Sequence, residues 1–102
     1  MDESIIRLGN LTINTDGQQV RVAGRLVHFP ALQYRLLLYL VQNAGRVVSQ
    51  KSLLEQVWGE SGGNLPKVRV QICKLRAALE GSAPWKVQTL SKRGYSVMQS
   101  QE

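Results

Sequence analysis

Residues 64–80 read Asn-Leu-Pro-Lys-Val-Arg-Val-Gln-Ile-Cys-Lys-Leu-Arg-Ala-Ala-Leu-Glu, and the spacing of their apolar members predicts one amphipathic helix over 65–80. At about 100° per residue, Val68, Ile72, Leu75 and Leu79 fall within about 40° of one another and form a stripe to be buried. Asn64 is the expected N-cap, and Pro66 is tolerated because the first turn of a helix needs no amide donor. Opposite the stripe lie Val70, Cys73 and Ala77, with Lys67 and Lys74 at one shoulder. Arg69 and Arg76 border the stripe on one edge and Gln71 on the other. Four cations and no acid share the face and edges left outside the stripe, whereas an ordinary surface helix intersperses Glu for i,i+4 pairing. A face of small residues flanked by long cations suits close approach to the major groove of a nucleic acid, where Val70 or Ala77 can meet a thymine methyl.

Working outward, residues 50–58 form a short helix capped by Ser49, with Leu53, Leu54 and Val57 on one face. Residues 30–43 carry Leu32, Leu36, Leu37, Tyr39, Leu40 and Val41 at helical spacing, apolar around most of the circumference, which predicts a central core helix ended by Gly45. Before it, residues 1–28 break into short alternating pieces separated by Gly9-Asn10, Asp16-Gly17 and Ala23-Gly24, the pattern of a four-stranded antiparallel sheet. After the basic helix, 81–84 breaks the chain and 85–98 alternates again around Ser91-Lys92-Arg93-Gly94, a closing hairpin with a basic tip. The expected fold is α+β, a winged helix-turn-helix: N-terminal four-stranded sheet, three-helix core and C-terminal hairpin wing, in one domain over 1–102. Helix, short connection, helix and basic hairpin is the order in which such folds send the later helix into the major groove.

Charge sharpens this. The chain of 102 residues carries 13 Lys+Arg against 7 Asp+Glu, a net +6. Residues 1–60 are nearly neutral, while 61–101 hold Lys67, Arg69, Lys74, Arg76, Lys86, Lys92 and Arg93 against Glu80 alone. A basic third points to a polyanionic partner. Other classes fall away. The longest apolar run, residues 36–41, is six residues, far short of the ~18 a membrane span requires. The start, Met-Asp-Glu-Ser, has no signal-peptide character, so the expected location is cytoplasmic. One Cys and one His make neither a disulfide nor a zinc site, and no cofactor is implied. The acids are scattered, His28 has no catalytic neighbours in sequence, and Gly62-Gly63 lacks the Lys-Ser/Thr of a phosphate loop, so no enzyme is expected. Cys73 on the groove-facing side is most simply a small residue that permits close approach; its oxidation would add bulk there. A protein–protein module is the alternative, but such an interface favours exposed aromatics or a large apolar patch, and this face has neither.

These pieces resemble the OmpR/PhoB-type winged-helix effector domains of bacterial response regulators. The matching stretches are GRVVSQKSLLEQVWG at 45–59, VRVQICKLRAALE at 68–80 and VQTLSKRGYSV at 87–97, behind the leading sheet. The resemblance implies sequence-specific binding of double-stranded DNA for transcription regulation, as two domains head-to-tail on direct repeats. It places base contacts on Lys67, Val70, Gln71 and Lys74, and phosphate and wing contacts on Arg69, Arg76, Lys92 and Arg93. It also implies contact with RNA polymerase through the 59–63 loop. Three departures stand out. Arg69 occupies a usually acidic position. The wing has Ser91-Lys92-Arg93-Gly94-Tyr95 where the family reads Arg-Gly-x-Gly-Tyr, leaving Lys92 or Arg93 to replace the minor-groove arginine. The first helix begins Pro30-Ala31-Leu32-Gln33 instead of Thr-x-x-Glu, which alters capping. No phosphorylatable receiver is present within the 102 residues, so the chain reads as the effector half of a longer regulator or as a stand-alone relative.

Overall fold

Short strands and tight turns build the first layer. The structure, a computed structural model, describes residues 4–59 and 65–99. Strands β1 (Ile5–Leu8), β2 (Leu11–Asn14), β3 (Gln19–Val22) and β4 (Arg25–Val27) form an antiparallel sheet in the order β1-β2-β3-β4. Two-residue turns set the register, pairing Leu8 with Leu11 and Val22 with Arg25. At the middle turn the Asn14 side-chain oxygen accepts from the amides of Asp16 and Gly17 at 3.0 and 3.3 Å, a side chain standing in for a backbone turn. Alternation then sends Leu11, Ile13, Val20 and Val22 to one face, all buried. His28, read from sequence as the end of the fourth strand, lies just past it and is exposed.

Helix α1 (Ala31–Gln42) buries Tyr34, Leu36, Leu37, Leu40 and Val41 in the same hydrophobic core. Its N-cap is Pro30 with no side-chain cap bond, the local consequence of lacking Thr-x-x-Glu. Helix α2 (Gln50–Leu53) is capped as expected, the Ser49 hydroxyl accepting from the Ser52 amide at 3.0 Å. Where the sequence predicts a plain helix to 58, the chain widens into a π-helical turn over Leu54–Trp58. Leu53, Leu54 and Val57 are all buried, as their shared face predicts. The Arg35 guanidinium of α1 donates to the Val57 carbonyl, and the Gly59 amide closes the turn on Leu54.

Helix α3 (Leu65–Ala78) follows. The expected Asn64 cap and all of the 59–63 loop except Gly59 lie outside the described residues. Strands β5 (Trp85–Leu90) and β6 (Gly94–Gln99) form a separate antiparallel hairpin. Distant residues hold it. Val48 and Tyr95 exchange both backbone bonds at 2.8 Å, and the Gly45 amide donates to Val97 at 2.9 Å. At Gly94, where φ is +139°, a Cβ would sit 2.0 Å from the Val48 carbonyl oxygen. A clasp ties the β1–β2 turn to the connection between α3 and β5: the Asn10 side chain donates to Gly81 at 3.0 Å and accepts from the Ala83 amide at 2.8 Å, and the Asn10 backbone amide donates to Ala83 at 2.9 Å.

Candidate nucleic-acid interface

The predicted stripe is the buried side of α3: Val68, Ile72, Leu75 and Leu79 are at most 5% exposed. That burial orients everything else on the helix. Arg69, Val70, Cys73, Lys74, Arg76 and Ala77 are exposed, and Lys67 and Gln71 are half-buried. Val70 is 50% exposed, an apolar side chain held in solvent amid cations. Of the four residues expected to read bases, Val70 and Lys74 therefore stand fully on the outer face. Lys67 sits lower at the shoulder, and Gln71 turns toward α1. Gln71 is not free: its side-chain oxygen accepts from the Gln33 side-chain Nε2 at 3.1 Å, a contact that holds the side chain against α1 at the edge of the outer face.

The residues expected to meet phosphate divide differently. Arg69, Lys92 and Arg93 converge on one groove of about 390 Å3, which Ser49, Gln50 and Ser91 also line. This groove joins the start of α2, the N-terminal half of α3 and the hairpin tip, and three cations border it with no acid among its lining residues. Sequence reasoning missed that α2 contributes: Gln50 donates to the Tyr95 hydroxyl at 3.1 Å, and nothing local at Gln50 announces a partner 45 residues away. Lys92 holds φ at +65°, a left-handed conformation costly for any residue with a Cβ. It stands where the family pattern has glycine, so the tip keeps the glycine backbone while carrying a cation.

Arg76, expected to meet phosphate, is exposed at the edge of the buried stripe and reaches the hairpin. Its Nε donates to the Val87 carbonyl at 3.1 Å and a terminal nitrogen donates to the Thr89 hydroxyl at 2.6 Å. Two of its donors are therefore engaged with β5. The larger groove, about 520 Å3, runs beside Arg76 with Cys73, Lys86 and Glu80 on its lining. Among the described residues no group of His, Cys, Asp or Glu is placed to hold a metal, and no helix is long and apolar enough to cross a membrane.

A helix presenting cations over a buried stripe, packed beside a basic hairpin, defines a winged-helix DNA-binding fold. Comparison with known proteins places it further. Residues 24–97 match the family described as "Transcriptional regulatory protein, C terminal", and the chain belongs to this family, the OmpR/PhoB-type winged helices. It is 33% identical over 98 residues to the cell cycle transcriptional regulator CtrA of Caulobacter vibrioides, covering 91% of this chain and 42% of the relative. It is 34% identical over 94 residues to the transcriptional regulatory protein CseB of Streptomyces coelicolor, covering 91% and 39%. The chain thus spans about two fifths of the length of these curated relatives. Among solved structures it resembles the RstA DNA-binding domain of Klebsiella pneumoniae in complex with RstA box, with a TM-score of 0.84 and 29% identity over 92% of this chain and 96% of that one. The response regulator DrrB of Thermotoga maritima, an OmpR/PhoB homologue, gives a TM-score of 0.82 at 30% identity, covering 93% and 44%.

Proposed function

We propose that this chain binds double-stranded DNA sequence-specifically to regulate transcription, as a binding module of the bacterial cytoplasm with no catalytic chemistry of its own. The observation that carries the reading is the outer face of α3, where Val70 and Lys74 stand exposed beside a groove edged by Arg69, Lys92 and Arg93. Long cations there reach phosphate oxygens and base edges, while Val70 is short enough for the helix to sit close in the major groove. Lys67, Val70, Gln71 and Lys74 select sequence, with Gln71 working from the edge against Gln33. Arg69, Lys92 and Arg93 supply affinity. A protein partner for this face is disfavoured by its composition, since Val70 is the one large apolar side chain exposed on α3 among the described residues.

The family resemblance extends the proposal to head-to-tail pairs on direct repeats and to contact between the 59–63 loop and RNA polymerase. Selection of bound duplexes from a random pool tests the central claim. An enriched motif is expected, tandem if the chains pair, with affinity falling steeply as salt rises at a slope of about −0.9 per phosphate contact. Recovery of no duplex even at low salt would overturn it.

A further inference from the structure

The two Arg76 contacts fall on alternate residues of one strand, Val87 and Thr89. A planar guanidinium presents its donors in a fixed fork, and this fork bridges a backbone carbonyl and a hydroxyl. Across the hairpin, Thr89 is paired with Tyr95, and Tyr95 is tied to Val48 through the backbone and to Gln50 through its hydroxyl. The hairpin is therefore held from two sides, by α3 through Arg76 and by the lead into α2 through Tyr95. Beyond Thr89 the chain runs straight into the tip that carries Lys92 and Arg93.

We propose that Arg76 is a positioning residue: it fixes the hairpin against α3, and the phosphate contacts of Lys92 and Arg93 depend on that fork. The inference rests on the reading of the chain as a DNA-binding module, and it assigns Arg76 a role through other residues in place of a phosphate contact of its own. A phosphate contact needs only the positive charge, which lysine retains. A fork needs two donors in one plane, which lysine lacks.

The test uses the whole chain and one selected duplex. Salt slopes are measured for the natural protein, R76K, R76A, T89V, the K92A/R93A pair, and R76K combined with that pair. Amide exchange of β5 and β6 is followed separately without DNA. R76K should lower the slope by about 1.8, the loss of two phosphate contacts, matching K92A/R93A, and the combined variant should lose nothing further. T89V, which removes one acceptor of the fork, should shift the slope in the same direction by less. Without DNA, R76K and T89V should both speed exchange in β5. If R76K keeps the natural slope while R76A loses about 0.9, Arg76 is a simple phosphate contact and the proposal fails. Unchanged exchange in β5 for R76K also overturns it. Should the natural protein bind no duplex, the functional reading falls, while the brace is still judged by exchange alone.

Discussion

The described residues form two antiparallel sheets, and they are held differently. In the four-stranded sheet each strand pairs with its sequence neighbour across a turn of two to four residues, and apolar alternation puts Leu11, Ile13, Val20 and Val22 on the buried face. The β5–β6 hairpin has the same local pattern but takes its position from residues far away in sequence: Gly45, Val48, Gln50 and Arg76. The charge follows the same division, since the cations bordering the 390 Å3 groove belong to α3 and the hairpin tip. The four-stranded sheet, tied to distant chain only at its turns through Asn10 and Arg25, is scaffold. The hairpin that depends on distant contacts carries part of the proposed function, because a DNA-binding tip must be aimed relative to the helix it accompanies.

Glycine substitutions test that contrast most sharply. Gly94→Ala would force a Cβ to within 2.0 Å of the Val48 carbonyl at a φ of +139°, so it should cost about 3 kcal/mol in chemical denaturation. Gly24→Ala, in a turn of the first sheet with nothing within 4 Å of the new Cβ, should cost only ~1 kcal/mol for its left-handed backbone. Equal losses would erase the distinction between the two sheets.

Next in size is the effect of Lys74→Ala on base preference. With its side chain exposed on the outer face of α3, its removal should relax discrimination at one position of the selected motif by about 2 kcal/mol. A uniform loss across all sequences would make Lys74 a phosphate contact instead.

Lys92→Gly sets stability against function at a single residue. Glycine relieves the left-handed strain at a φ of +65°, so stability should rise by up to ~1 kcal/mol. The same change should reduce the salt slope by about 0.9. Stability that stays level or falls would show that the lysine backbone is not strained there. The smallest effect is expected from Arg21→Ser on β3, whose exposed side chain makes only a 3.4 Å contact to Gly24. Stability should move by less than about 0.5 kcal/mol, and the salt slope by nothing measurable. A lower slope would extend the DNA-binding surface to the sheet.

How far the sequence could be read depends on the range of the interaction. Turn residues, strand alternation and the α3 stripe are encoded within a few positions of one another, so the first sheet, α1 and the buried side of α3 were all legible from spacing. The π-helical turn over Leu54–Trp58 was not: spacing there reads as a plain helix, and the Arg35 contact at Val57 comes from another helix. Gln71 illustrates the same limit. A helical wheel places it at the edge of the apolar stripe, but only the folded chain brings Gln33 within hydrogen-bonding distance.

The amino-acid sequence by itself determined the order of elements, which side of α3 is buried, and that the positive charge gathers in the last third of the chain. These follow from periodicity and composition, which are local properties. Only the tertiary structure decided that Arg69, Lys92 and Arg93 share a groove with the start of α2, and that Arg76 faces β5. A guanidinium at the edge of a helix can serve a phosphate or a neighbouring strand equally well. Which it meets depends on where packing sets that strand.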